Sequence, residues 1–328
     1  MQHSLNDNYN YQQFKLQSCL DLFINMYTAK EIPNQGLITN ASIIRSIMTD
    51  AIEVLKKEPT VIDINDDVSL FGDIHGNFES LRNFMKQNPQ TSKPFIFLGN
   101  YIDYGRHGLD VLCLLLTCKT LWPSQFILLR GNHEDIVTSK STNKSSFYND
   151  LKRRFGDELT NLIFSVFDYL PIACVVKNEM LCVHGGICKG LNSIKQLRMI
   201  KKPYNINPYS QSIASQVVCA KPHLSNEQFN IISNNNHKNV NNQKNHQIEE
   251  HDLNEIYFEK DDLEIFLKRN GLKMLCRSHQ YLSDGAMACY GGKCMTVFSC
   301  PSYKYFNNDG AILTFDKSIH YHRYSDLI

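Results

Sequence analysis

Short apolar runs that break off into polar, glycine-bearing clusters recur five times along the chain. Ser69–Phe71 leads into Gly72-Asp73-Ile74-His75-Gly76, and Phe95–Leu98 into Gly99-Asn100-Tyr101-Ile102-Asp103. Phe126–Leu129 leads into Arg130-Gly131-Asn132-His133-Glu134, Met180–Val183 into His184-Gly185-Gly186, and Met274–Cys276 into Arg277-Ser278-His279-Gln280. Runs this brief read as buried strands of an α/β sheet rather than as helices. Longer spacings predict helices from Phe14 to Ala29 and from Thr39 to Lys57. The second carries Ile43, Ile44, Ile47, Met48, Ala51, Ile52 and Leu55 on one face and stops before Pro59. Both are expected to cover the sheet. Ligand sites in such folds gather on the loops beyond the carboxyl ends of the strands, so the five clusters should converge on one rim.

At 328 residues the chain has room for one large domain or two ordinary ones. The clusters span most of it, and a boundary among them would cut the site. The expectation is therefore an N-terminal helical extension over 1–36 and a single domain over 37–328. A 42% hydrophobic content is ordinary for a globular protein, and a net charge of +1 gives no general argument for nucleic acid or membrane. Met1 to Asn10 is polar, no run is long enough to span a membrane, and a cytoplasmic or nuclear location is expected. Eleven cysteines without C-x-x-C spacing read as reduced, buried thiols. Asn234 to Asn245 holds seven asparagines in twelve residues. It cannot bury enough apolar surface to offset its ordering entropy, so a disordered insertion is expected at about 224–251, with no metal role for His237 or His246.

The clusters supply two carboxylates (Asp73, Asp103), two amides (Asn100, Asn132) and four imidazoles (His75, His133, His184, His279). At these residues the chain resembles the PPP family of serine/threonine protein phosphatases, with its calcineurin-like metallophosphoesterase fold. That family's pattern is GDxHG, GDxVDRG, GNHE, HGG and a late RxHQ. The type-1 catalytic subunit looks nearest, and the resemblance runs from about Leu37 to Phe315. Phe298-Ser299-Cys300-Pro301-Ser302-Tyr303 is similar to the family's SAPNY loop, and Asn308-Asp309-Gly310-Ala311 to the turn after it.

The resemblance implies two mixed β-sheets packed as a sandwich with flanking helices, and hydrolysis of phosphoserine or phosphothreonine by a water held between two divalent metals (Mn, Fe or Zn). Asp73 and His75 would bind the first metal, and Asn132, His184 and His279 the second. Asn100 would bridge them. His133 would protonate the leaving oxygen, Asp103 would orient His133, and Tyr303 would line the pocket. Phosphoprotein substrates and regulatory subunits are the implied partners, with no nucleic acid and no membrane.

Three positions depart from the pattern. The bridging aspartate is Asn100, a neutral amide that bridges two dications poorly, so one of the two metal sites, the one left with only Asp73 and His75, is expected to be weak. The arginine of GDxVDRG is Tyr104, and the family's second phosphate-clamping arginine aligns with about Asp252. Arg106 is the candidate to swing into the vacancy, with Lys221 a weaker one. Two functions follow: a working phosphatase of altered efficiency, or a pseudophosphatase that holds phosphoproteins or regulators with little turnover.

Overall fold

The computed structural model describes residues 17–87, 93–142, 146–204, 206–207, 209–224 and 256–326. The Asn-rich segment and Asp252 lie outside them. Numbered along the chain, the strands are β1 (Val61–Ile64), β2 (Val68–Phe71), β3 (Phe95–Phe97), β4 (Phe126–Leu128), β5 (Ala173–Val176), β6 (Met180–Val183), β7 (Lys221–Pro222), β8 (Tyr257–Phe258), β9 (Met274–Arg277), β10 (Ala286–Cys289), β11 (Cys294–Val297), β12 (Ala311–Phe315) and β13 (Ile319–Arg323). All five apolar runs are among them, as β2, β3, β4, β6 and β9. They fall into two sheets. One has five strands in the order β13-β12-β2-β3-β4, with β12 and β13 antiparallel and β2, β3 and β4 parallel. The other has six in the order β1-β5-β6-β9-β11-β10.

Side chains alternate across each strand, and that period of two separates the cores. Val68, Leu70, Ile96 and Ile127 share one apolar cluster with Cys174, Val176, Met180 and Cys182 of the opposing sheet, which forms the inside of the sandwich. Phe71, Phe95, Phe97, Phe126 and Leu128 belong to a second cluster with the helices Ala41–Leu55, Gly108–Leu121 and Phe147–Phe167. Leu181, Val183 and Leu275 belong to a third with the helix Lys260–Asn270. Each fully buried phenylalanine contributes about 1.5–3 kcal/mol by removal from water, so the row Phe71–Phe97–Phe126 anchors the helical layer to the sheet.

The predicted helices are present as 17–28 and Ala41–Leu55. The second begins where Asn40 accepts from the backbone N–H groups of Ser42 and Ile43, capping the orphan donors of its first turn. Its buried stripe is narrower than the sequence suggests: Ile44, Ile47, Met48, Ala51 and Leu55 are buried, whereas Ile43 is exposed. Ile43 and Ile52 lie on the two flanks of the stripe at 3.6 residues per turn. Buried Asp110 of the helix Gly108–Leu121 accepts from Leu37 N and Ile38 N, at 2.8 and 3.0 Å, and so ties the N-terminal segment to the core. All eleven cysteines are free thiols. No helix among the described residues is long and apolar enough to cross a membrane.

Candidate metal centre and phosphate site

The parallel strands of both sheets point their carboxyl ends at the same rim, and the five clusters meet there. Gly72 makes the closest approach, since a Cβ at that position would run into the Val297 carbonyl oxygen. The chain can therefore step from β2 to the neighbouring sheet, where Asp73 forms an isolated parallel bridge with Phe298. Beyond the strand ends the backbone is forced into the left-handed region at His75, Asn100, Asp103 and His279, with φ of 44°, 58°, 65° and 60°. Each such residue costs of order 1–3 kcal/mol, and such strain collects where side chains must be aimed.

Asp103 and His133 form a complete pair. His133 Nδ1 lies 2.8 Å from Asp103 Oδ2. The other carboxylate oxygen accepts from Ser139 Oγ at 2.9 Å and Phe147 N at 2.8 Å. Burial lowers the pKa of His133, and the hydrogen bond to Asp103 opposes it. With Nδ1–H directed at the carboxylate, Nε2 is the atom left for substrate.

Asp73 is buried and ionised. Burial alone would raise its carboxyl, but the His75 and His184 rings and the Ser278 hydroxyl favour the anion, outweigh burial and hold the group well below the usual range. Its Oδ1 accepts from the Ser278 hydroxyl and from His279 N. Its Oδ2 lies 3.2 Å from His75 Nε2 and accepts from Asn100 Nδ2 at 3.0 Å. The orientation of that amide is fixed from behind. Asn100 Oδ1 accepts from the backbone N–H of His133 at 3.1 Å, so the NH2 must face Asp73. A donor thus stands where the family pattern has a bridging oxygen.

The chemistry of the remaining donors fits metal ions. His75 Nδ1 is 2.9 Å from Ile102 O, and His184 Nδ1 is 2.9 Å from Leu98 O. Each ring therefore gives its proton to a carbonyl and keeps a bare Nε2 lone pair. His75 Nε2 faces Asp73 Oδ2, and His184 Nε2 faces Asn132 Oδ1 at 3.0 Å. Two lone pairs opposed at that distance are satisfied by a cation between them. His279 completes the second group, its ring 5.1 Å from that of His184. Burial pushes His184 down to about 4 and His279 well below its ordinary value, which leaves both neutral and able to ligate. The residues fit two separate cations, and they do not fit a pair bridged at position 100. Among the described residues no three His, Cys, Asp or Glu side chains form a metal-holding group by themselves.

Tyr303 stands in the pocket, its ring 5.1 Å from His75, and Tyr104 lies 5.2 Å from His133. Arg106 is exposed in a groove of about 670 Å³ that opens from His75, Tyr104 and Tyr303. Lys221 lies in β7, which pairs with β8, and its charge is among the causes that lower the pKa of His279.

Two supporting residues escape a reading of the sequence. Glu134 accepts from Asn100 N, Tyr101 N and Gly131 N, at 2.7, 2.8 and 2.9 Å, and so locks the second loop to the third. Ser278 accepts from Asp73 N at 2.8 Å and donates to that residue's carboxylate. Their positions inside the GNHE and RxHQ patterns are the only signal.

A family model described as calcineurin-like phosphoesterase matches residues 68–282. Among solved structures, the chain is similar to a protein serine/threonine phosphatase from Saccharomyces cerevisiae with similarity to human phosphatase PP5. The TM-score is 0.74 at 21% identity, covering 93% of this chain and 95% of that one. It is also similar to the cold-active protein-tyrosine phosphatase of a psychrophile, Shewanella sp., with a TM-score of 0.55 at 14% identity over 84% of this chain and 83% of that one. At these identities the likeness speaks for the fold.

Proposed function

The chain belongs to the calcineurin-like phosphoesterase family, and from that premise we propose that it binds phosphoserine and phosphothreonine proteins and hydrolyses them slowly, limited by residue 100. The observation that carries this reading is the intact Asp103–His133 pair beside two opposed donor groups, Asp73 with His75 and Asn132 with His184. The substrate class is the one implied by the resemblance of the five loops to the serine/threonine phosphatase pattern, and the yeast phosphatase shares the fold.

Asp73 and His75 would hold one cation, and Asn132, His184 and His279 the other. The mixed imidazole and carboxylate donors suit manganese, iron or zinc better than calcium. Bound there, the metals supply Lewis acidity at phosphorus and a nucleophilic water near neutral pH. The chain's own residues do the rest. His133 Nε2 gives a proton to the leaving serine or threonine oxygen, and Asp103 keeps the ring in the required tautomer. An arriving phosphate dianion acts on the pKa of His133 in the sense opposite to burial and favours the protonated ring. Glu134 fixes the loop carrying Asn100 relative to the loop carrying His133.

A second reading has its own observation. Because the Asn100 amide donates to Asp73, the protein could be a pseudophosphatase that holds phosphoproteins or regulators without turnover. Metal content by elemental analysis, combined with hydrolysis of p-nitrophenyl phosphate and a phosphoserine peptide in manganese, separates the two. Turnover that disappears in His133→Gln supports the enzyme. Phosphopeptide binding without turnover supports the second reading, and a protein that neither binds nor hydrolyses either probe overturns both. The group holding Asn132, His184 and His279 should fill first in a manganese titration, and equal, tight occupancy of both positions would refute the cost assigned to the amide.

A further inference from the structure

The loss of arginine at position 104 leaves a question of charge: what meets the phosphate? Tyr104 is uncharged, and the sequence offers Arg106, two residues on. The structure brings a different cation to the place. Lys304, on the turn after β11, carries its ammonium 4.0 Å from the ring centroid of Tyr104 and 5.1 Å from that of Tyr303. These two rings are the ones that pack against His75 and His133, at 5.0–5.2 Å. The ammonium is therefore one ring removed from the proton donor and from the first donor group.

The turn is built to keep it there. Ser302, Lys304 and Tyr305 all lie in the left-handed region, with φ of 53°, 48° and 68°. Asn308 pins the segment from beneath: its Oδ1 accepts from Tyr303 N, its Nδ2 donates to Cys300 O, and its carbonyl accepts from Ser302 N. Tyr104 and Tyr303 stand edge to face, with centroids 5.4 Å apart, and Tyr281 stacks on Tyr303. Two aromatic faces thus hold one ammonium at the mouth of the groove that also contains His75 and Arg106. Aromatic faces attract a cation without neutralising it, and Lys304 lines the same groove as His75.

We propose that Lys304 is the phosphate-contacting cation of this site, with Tyr104 acting as the positioning residue that holds it where the family pattern has an arginine. The inference rests on the phosphomonoester reading above and deepens it. It predicts a point-charge contact to the phosphate rather than a bidentate one, because an ammonium lacks the planar fork of a guanidinium.

Calorimetric titration of the full chain with inorganic phosphate and with a phosphoserine peptide, in manganese, tests it. Lys304→Ala should weaken binding of both probes about tenfold, the low end for a charged hydrogen bond, and should flatten the salt dependence of binding. Lys304→Arg should bind within about twofold of the unaltered protein, since the charge is retained. Tyr104→Leu should weaken binding about two- to fivefold, the worth of an exposed cation–π contact. Lys304→Gly guards against a folding artefact, because glycine accepts the left-handed backbone at this position and should reproduce the loss with the fold intact. Where turnover is measurable, the loss should fall on KM with kcat little changed, a split that a merely structural role would not produce. The inference is overturned if the unaltered protein binds phosphate and Lys304→Ala and Lys304→Gly bind it equally well, or if Arg106→Ala takes the loss instead. If the unaltered protein binds neither probe, the phosphomonoester reading itself fails and this inference fails with it.

Discussion

Two corners of the site, both built on loops that follow strands of the five-stranded sheet, differ in how far they keep the family pattern. At Asp103 every lone pair that matters has a partner: an imidazole on one oxygen, a hydroxyl and a backbone N–H on the other. At Asp73 the geometry is equally tight, yet one of its partners is an amide N–H that stands where a metal-bridging oxygen is expected. The contrast turns on one atom of Asn100. Its Oδ1 still accepts from His133 N, as a carboxylate oxygen would, so the proton-donating corner is kept in register while the metal corner is altered. An isosteric replacement can thus separate two functions that share a residue.

The sharpest way to break the comparison is at its intact side. His133→Gln should lower turnover by about 10²–10⁴-fold, the usual contribution of a positioned general acid, with manganese affinity within about twofold of the starting value, as measured by calorimetry. Loss of metal binding in this variant would mean that the two corners are not separable. Repairing the altered side comes next. Asn100→Asp should tighten metal binding by at least about 10–100-fold, the range already seen when only outer partners of a metal ligand change, and turnover should rise with occupancy. A fully metallated Asn100→Asp protein no faster than its parent would show that the amide is not the limiting defect. On that background Tyr104→Arg should lower KM by about two- to fivefold, the roughly tenfold gain of one charged hydrogen bond to phosphate less the cost of releasing Lys304. Because positions 100 and 104 lie in one site, the double change should depart from the sum of the single ones. The smallest effect is thermal. A tenfold gain in metal affinity is worth about 1.4 kcal/mol at saturating metal, so chelation should depress the melting temperature of Asn100→Asp by about 2–4 °C more than that of the parent.

Much of this is legible in the amino-acid sequence alone. The five strands and the loops after them are written locally, as apolar runs that end in glycine, amide and carboxylate, and local signals survive without knowledge of the fold. The division of those strands between two sheets is not local: β6 and β9 pair across about ninety intervening residues, and nothing in either run names its partner. The same limit explains Ser278, Glu134 and Ser139. Each acts on a residue far away in sequence, and a serine or glutamate gives no sign of which distant carboxylate or amide it will meet. Arg106 is the natural replacement for the missing arginine because it is near in sequence, whereas the cation that the fold lays against Tyr104 belongs to a turn about two hundred residues on. Ile43 shows a subtler limit, since the flank of an apolar stripe is decided by how deeply the neighbouring helix sits.

The seam at Asp73 bears on how such a protein can lose or regain an activity over evolutionary time. Gly72 N donates to Ser299 Oγ, Asp73 N to Ser278 Oγ, and Ser299 N to Asp73 O, so this short segment fastens the carboxyl end of β2 to the other sheet. The Asp73 carboxylate accepts from the same Ser278 hydroxyl that receives its backbone N–H. Any residue with a backbone N–H at position 73 would keep the backbone part of this seam but lose the carboxylate's contacts with the Ser278 hydroxyl and His279 N, whereas the amide at position 100 keeps the contact with His133 N. A change at position 100 therefore disturbs the surrounding fold less than one at position 73, and Asn100→Asp can reverse it without rebuilding the backbone around it.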